Sequence, residues 1–276
     1  MTIVDKAEQL TRHIGGYRQC VVAFSGGVDS AVVAQAAHLA LGENAAAVTA
    51  RSPSVPRSEI EEAIRVAAEI GIRHEIVETQ ETTNPLYVQN APDRCFHCKT
   101  ELYSQIELLV AAIDAPLILN GANVDDQGDH RPGMIAAKNH QVLSPLIECG
   151  LTKADVRELA KHWNLSVHDK PASPCLASRI AYGEEATPER LAMIEAAEDY
   201  LRGHGLREFR VRYHRGDIAR IEVTPERIAE LAAEPLRSQL AKKLRELGFR
   251  AVTLDLEGFR SGNLNGFVDL AAVRLQ

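Results

Sequence analysis

The segment Val21-Val22-Ala23-Phe24-Ser25-Gly26-Gly27-Val28-Asp29-Ser30 constrains this chain more than any other. Four apolar residues run into Ser-Gly-Gly, and Asp29-Ser30 then opens a stretch rich in Ala and Val. That order predicts a buried strand, a tight turn and a helix. Glycine tolerates positive φ and lets the backbone close on a ligand. The unpaired N–H groups of the first helical turn favour an anion, and a phosphate chain suits them best. The motif lacks both the Lys of the P-loop and the third glycine of the dinucleotide fingerprint. An ordinary glycine-rich βα turn is the competing reading.

The rest of the N-terminal half repeats the strand–helix alternation. Ala7, Leu10 and Ile14 predict a leading helix over 5–15, and strands are expected at 20–24, 45–49, 74–79 and 116–121. Helices are expected from 30 to the stop at Gly42, from a Ser58–Glu61 capping box with Ile60, Ile64, Ala67 and Ile70 on one face, and through Leu102, Ile106, Leu109 and Val110. This is the pattern of βαβ units: an α/β fold with a parallel sheet covered by helices on both faces. Ligands then belong at the carboxyl ends of the strands. The loop 121–129, with Gly121, Asn123 and Asp126, falls there as a second wall for the pocket. A helix capped by Thr152 and Asp155 follows, and the two prolines of 169–175 exclude regular structure.

A smaller α+β domain is expected over 183–276, after a nucleotide domain over 1–182. It has two Thr-Pro-Glu-Arg helix starts, at 187 and 224, flanking a hairpin at 209–214 and 218–223, with a last strand at 249–256. The order α-β-β-α-β predicts two layers over an antiparallel sheet. Alternation puts Arg210, Arg212 and His214 on one face of the hairpin, and Arg220 and Glu222 on one face of the partner strand. A solvated charged face competes with a ligand-binding one. A guanidinium fork suits phosphate, which favours Arg212 as an anion contact.

The 276 residues carry a formal charge of −7, which weighs against a polyanionic partner such as nucleic acid. The start of the chain has no signal-peptide pattern and no run is long and apolar enough to span a bilayer, so a cytoplasmic protein is expected. Five cysteines in such a chain point to metal binding or chemistry rather than disulfides. Cys95 and Cys98 form a C-x-x-C, compatible with zinc, a redox dithiol or an iron–sulfur cluster. Cys20 reads as a buried hydrophobe and Cys149 leans structural. Cys175 stands in the proline-constrained loop with Ser178 and Arg179 close by, and reads as functional.

Ser-Gly-Gly-x-Asp-Ser resembles the pyrophosphate loop of ATP pyrophosphatases. Together with 121–126, with Asp169-Lys170-Pro171-Ala172-Ser173-Pro174-Cys175-Leu176-Ala177-Ser178-Arg179-Ile180 and with Arg-Val-Arg-Tyr-His at 210–214, it is similar to the LarE family across nearly the whole chain. These are ATP-dependent sulfur transferases of nickel-pincer cofactor synthesis. The resemblance implies that ATP adenylylates a carboxylate of pyridinium-3,5-biscarboxylic acid mononucleotide, that a sulfur nucleophile displaces AMP, and that the dithio product passes to a nickel-inserting enzyme. It also implies a homo-oligomer, for which the apolar tail 267–275 offers a surface.

On this reading Ser25, Gly26, Gly27 and Ser30 cradle the phosphates and Asp29 partners Mg²⁺. Ser178, Arg179, Arg212, Glu222 and Glu198 serve the substrate. Family members that use one cysteine, matching Cys175, sacrifice its sulfur and keep dehydroalanine. Others use three cysteines for a 4Fe–4S cluster with a donatable sulfide, and Cys95, Cys98 and Cys175 favour that branch. A structural zinc on the same cysteines with His97 or Cys149 competes. So do a tRNA-thiolating enzyme, an ammonia-using synthetase and a nucleotide sensor without turnover.

Overall fold

The computed structural model describes residues 1–110, 117–127 and 132–260. The expected tail surface at 267–275, Pro116, Gly128 and Asp129 lie outside the described residues. The chain forms two compact units. One comprises Met1–Glu81 and Cys95–Ser173; the other comprises Thr82–Arg94 and the chain from Pro174 onward.

In chain order the first unit begins with α1 (Ile3–Gly15), β1 (Cys20–Ala23), α2 (Val28–Leu41), β2 (Ala45–Arg51), α3 (Arg57–Ile70) and β3 (Arg73–Glu78). The short α4 (Pro85–Val88) belongs to the second unit. The first unit resumes with α5 (Arg94–Val110, of which Arg94 itself groups with the second unit), β4 (Leu117–Leu119), α6 (Pro132–Asn139), α7 (Pro145–Glu148) and α8 (Lys153–His162). Its sheet is wholly parallel, in the order β3-β2-β1-β4.

Alternation along the strands explains the layers. Cys20 and Val22 of β1 face a core shared with α1, α2, α3 and α8, whereas Val21 faces one shared with α5 and α6. Helices therefore cover both faces, as the sequence pattern predicts. Helix α2 is buried nearly all round, and its alanines at 31, 34, 36 and 37 let its neighbours approach.

Three local expectations change. Helix α3 starts at Arg57 behind Pro56 with no side-chain cap, so Ser58 is inside the helix and no capping box forms. Ile64 is exposed; Ala63 and Val66 take the buried face with Ile60, Ala67 and Ile70. Leu109 is likewise exposed on α5, and that helix begins early enough to carry Cys95 and Cys98 in its opening turns.

The second unit continues with α9 (Pro188–Gly203), β5 (Phe209–His214), β6 (Ile218–Val223), α10 (Pro225–Ala232), α11 (Leu236–Glu246) and β7 (Ala251–Leu254). Strands β5 and β6 form the expected hairpin, but β7 joins β6 in parallel. The sheet is therefore mixed rather than antiparallel: the α10–α11 crossover returns the chain to the end of the sheet where β6 began, which a hairpin cannot do. Thr187 caps α9 through the backbone N–H of Arg190, whereas Thr224 makes no such bond to α10.

Candidate active site

The carboxyl end of β1 builds the first half of the site. Phe24 stays in the sheet through its N–H to the Val48 carbonyl (2.8 Å), and Gly26 then turns at φ +69°. A Cβ on Gly26 would lie 2.8 Å from Ala63 Cα, so α3 packs directly against the loop and only glycine fits. Gly27 heads α2 with no side-chain cap, which leaves the first-turn N–H groups facing the loop. Ser30 Oγ accepts from Ser25 N–H (3.2 Å) and lies 3.2 Å from Ser25 Oγ; it also donates to the Gly27 carbonyl (3.1 Å). The two serines thus lock the loop in shape before any ligand arrives.

The loop after β4 supplies the opposite wall. Gly121 comes so close to α2 that a Cβ there would sit 2.7 Å from Ser30 N. Asn123 Nδ2 donates to Asp29 Oδ1 (2.8 Å), and its backbone N–H donates to Asp126 Oδ2 (3.1 Å). Burial raises the pKa of Asp29, Asn123 opposes that by hydrogen bonding to the carboxylate, and the nearby Asp126 charge raises it further. Two carboxylates held beside a phosphate-shaped loop fit Mg²⁺, which takes one or two carboxylates and completes its shell with phosphate and water. Asp29 and Asp126 would hold it.

Two buried features beside the loop escaped sequence reasoning. Thr49 Oγ1 donates to the Phe24 carbonyl (2.8 Å) and stands 2.8 Å from His74 Nε2, whose pKa burial lowers. Lys170 Nζ lies 2.8 Å from Glu59 Oε2 and 3.4 Å from the Gly26 carbonyl. Lys170 stands in the 169–180 motif that carries the family resemblance, but no role is read for it there.

In the second unit, Cys175 heads a short 3₁₀ turn over Leu176–Arg179. Its carbonyl accepts from Ser178 Oγ (2.7 Å), Ser178 N–H (3.0 Å) and Arg179 Nη1 (3.0 Å), so the backbone that presents the half-buried thiol is fixed. Arg179 forms a two-pronged bond to Glu198 (3.0 and 3.1 Å). Arg212 pairs with Glu222 at 2.9 Å and donates to the Ser178 carbonyl (3.0 Å). Glu222 is wholly buried and Arg212 nearly so, which excludes the solvated charged face.

Burial lowers the pKa of Arg210 to about 10, helped by Arg179 and Arg212. These three guanidiniums stand with two carboxylates, Glu198 and Glu222, so the group favours an anion. His214 Nε2 accepts from Arg220 (3.1 Å), and burial with that neighbouring charge lowers its pKa. Sequence reasoning also missed Arg94, which is buried and donates to Asn90 Oδ1 and to the Ala177 carbonyl (2.9 Å).

All five cysteines are free thiols. Burial drives the pKa of Cys20 to about 12 and that of Cys149 to about 11, consistent with inert roles. Cys95 and Cys98 share the opening turns of α5 in the first unit, whereas Cys175 belongs to the second. Among the described residues no three His, Cys, Asp or Glu side chains are gathered to hold a metal ion. The two C-x-x-C thiols lie three residues apart on one helix, and no three-residue ligand set is formed among the described residues.

Residues 3–101 match the NAD synthase family, in agreement with a phosphate loop at the end of β1. An uncharacterized protein of Synechocystis sp. is 44% identical over 95% of this chain and 97% of its own. The pyridinium-3,5-bisthiocarboxylic acid mononucleotide synthase of Lactiplantibacillus plantarum is 36% identical over 96% of this chain and 95% of its own. The chain belongs to the LarE family of ATP-dependent sulfur transferases. An uncharacterized protein of Methanocaldococcus jannaschii is also similar, at 25% identity over 88% of this chain and 92% of its own. Within the LarE fold, then, the phosphate-shaped loop lies in the first unit and the arginine-framed cysteine in the second. No helix of the described residues is long and apolar enough to cross a membrane.

Proposed function

We propose that this LarE-family enzyme converts the carboxylates of pyridinium-3,5-biscarboxylic acid mononucleotide to thiocarboxylates at the expense of ATP. The observation that carries the reading is the near full-length likeness to a synthase of the bisthiocarboxylic mononucleotide, joined to an intact phosphate loop. A carboxylate oxygen attacks the α-phosphorus, and pyrophosphate leaves. A sulfur nucleophile then adds to the acyl carbon, and AMP departs with the oxygen. The first step makes a leaving group of an oxygen that otherwise has none.

The loop residues Ser25, Gly26, Gly27 and Ser30, with Gly121 and Asn123 opposite, hold the triphosphate. Asp29 and Asp126 would hold Mg²⁺, which would offset charge on the phosphates. The group Arg179, Arg212, Glu198, Glu222 and Ser178 orients the anionic mononucleotide beside Cys175. With Arg210 alongside, three guanidiniums stand against two carboxylates, and that one positive charge in excess supports this role.

Cys95, Cys98 and Cys175 would hold a 4Fe–4S cluster in this reading, and such a cluster would supply the sulfide-level sulfur for transfer. One feature supports it: a thiol pair spaced i, i+3 on α5, with Cys95 exposed and Cys98 half-buried. ATP activation falls to the first unit; substrate holding and assembly into a homo-oligomer fall to the second, whose C-terminal stretch begins at Pro174 rather than at the expected 183, and the product passes to a nickel-inserting enzyme. The cytoplasm suits such a carrier of free thiols.

Anaerobic purification tests the proposal. The expected protein is brown, contains iron and sulfide in equal amounts, and releases pyrophosphate only with the pyridinium diacid present. It turns over repeatedly when given sulfide. A colourless protein that turns over once and loses the mass of H₂S at Cys175 would transfer the role to a sacrificial cysteine. Release of pyrophosphate with tRNA instead of the diacid would overturn the substrate.

A further inference from the structure

Lys170 is the best-anchored cation beside the phosphate loop. Its backbone N–H donates to the Val167 carbonyl (3.0 Å), and Arg157 of α8 clamps the carbonyls of His168 and Lys170 at 3.0 Å each. The side chain is only 16% exposed and reaches between two elements of the loop's frame. One contact is Glu59 in the first turn of α3; the other is the carbonyl of Gly26, at the turn of the loop itself. An ammonium carries three donors, so this pose leaves one for a further acceptor.

We infer that Lys170 is a pyrophosphate-binding residue, the cation that meets the terminal phosphates of ATP and neutralises the leaving pyrophosphate. The inference rests on the phosphate-loop reading given above. The loop already provides backbone N–H groups and a helix N-terminus, but these supply partial charges, whereas β- and γ-phosphates carry full ones. Lys170 supplies a full charge on a side chain whose position is held beforehand, so little ordering remains to be done on binding. Glu59 keeps it in place while the site is empty and yields it when phosphate arrives.

A lysine that served only to tie 169–170 to α3 would make the same ion pair. The two partners distinguish the cases, because a purely structural pair is lost equally from either end. The full-length protein is therefore prepared as wild type, Lys170→Met and Glu59→Gln. Binding of inorganic pyrophosphate, Mg-ATP and AMP is measured by calorimetry. Lys170→Met is expected to weaken pyrophosphate and ATP by about tenfold or more, the range of a charged hydrogen bond, with AMP changed by less than about twofold. Glu59→Gln is expected to bind pyrophosphate as well as wild type or better.

Equal losses in the two variants, or no loss of pyrophosphate in Lys170→Met, would overturn the role of Lys170 while leaving the loop intact. Failure of the wild type to bind either ATP or pyrophosphate would overturn the phosphate-loop reading, and this inference with it.

Discussion

At the scale of single residues, the site places charges where they cost stability. Burial makes Asp29 hold its proton more tightly in the folded protein than in the unfolded chain. For an acid with a raised folded pKa, stability falls as pH rises from the unfolded value through the folded one. Asp29→Asn, whose amide oxygen still accepts from Asn123, is expected to melt higher than wild type at pH 7.5. The advantage should vanish toward about pH 3, below the unfolded carboxyl's range, while pyrophosphate release drops by roughly tenfold or more. Thermal melts at the two pH values check the first part; an Asn variant no more stable at pH 7.5 contradicts it.

Arg212 shows the opposite balance, since it neutralises a wholly buried Glu222. Arg212→Ala is expected to cost about 2 kcal/mol, less than the loss of a sole partner, because Arg220 still pairs with Glu222 at 3.2 Å. Arg212→Met with Glu222→Gln should recover most of that in urea titrations, yet not restore substrate use. Recovery of both would make Arg212 merely structural.

At the scale of elements, helix starts decide what reaches the site. Thr152 and Asp155 form a complete capping box on α8, and Asp155 also meets Lys6 of α1 at 2.5 Å. That ion pair, with the Thr152 N–H, lowers the Asp155 pKa to about 2. A depressed acid contributes stability above its unfolded pKa and loses it as pH falls through the folded one. Asp155→Asn should therefore cost about 1 kcal/mol at neutral pH, and the difference from wild type should shrink below about pH 4. A difference that persists undiminished at pH 2 would contradict the linkage. The same helix carries Arg157, whose grip on the 168–170 turn sets the position of Lys170. In α3 the cap was misread from sequence: Pro56 lets the helix start one residue before Ser58, so that hydroxyl has no cap to fill.

At the scale of the whole molecule, the proposed ATP activation and the proposed sulfur supply use different residues. Cys95→Ser and Cys98→Ser are expected to lose iron and sulfide on anaerobic purification, yet to bind Mg-ATP within about twofold of wild type, since neither thiol belongs to the phosphate loop or to the wall opposite it. Sulfur transfer should fall to background in both. Variants that retain full iron and turnover would exclude the C-x-x-C from the cluster.

From the sequence come the local pieces: the strand–turn–helix of the glycine loop, the βαβ alternation, the hairpin and the order of the motifs. Each is a matter of short-range sterics and of which side chains repeat on one face, so a single stretch of chain suffices to read it. Only the tertiary structure decided the rest. It put Gly121 against Ser30, brought Asn123 between Asp29 and Asp126, and set Lys170 on Gly26 from 144 residues away. It turned β7 parallel to β6 and assigned 82–94 to the second unit. These depend on contacts between distant segments, whose choice is made by burial and charge pairing over the whole fold. No local pattern records that choice.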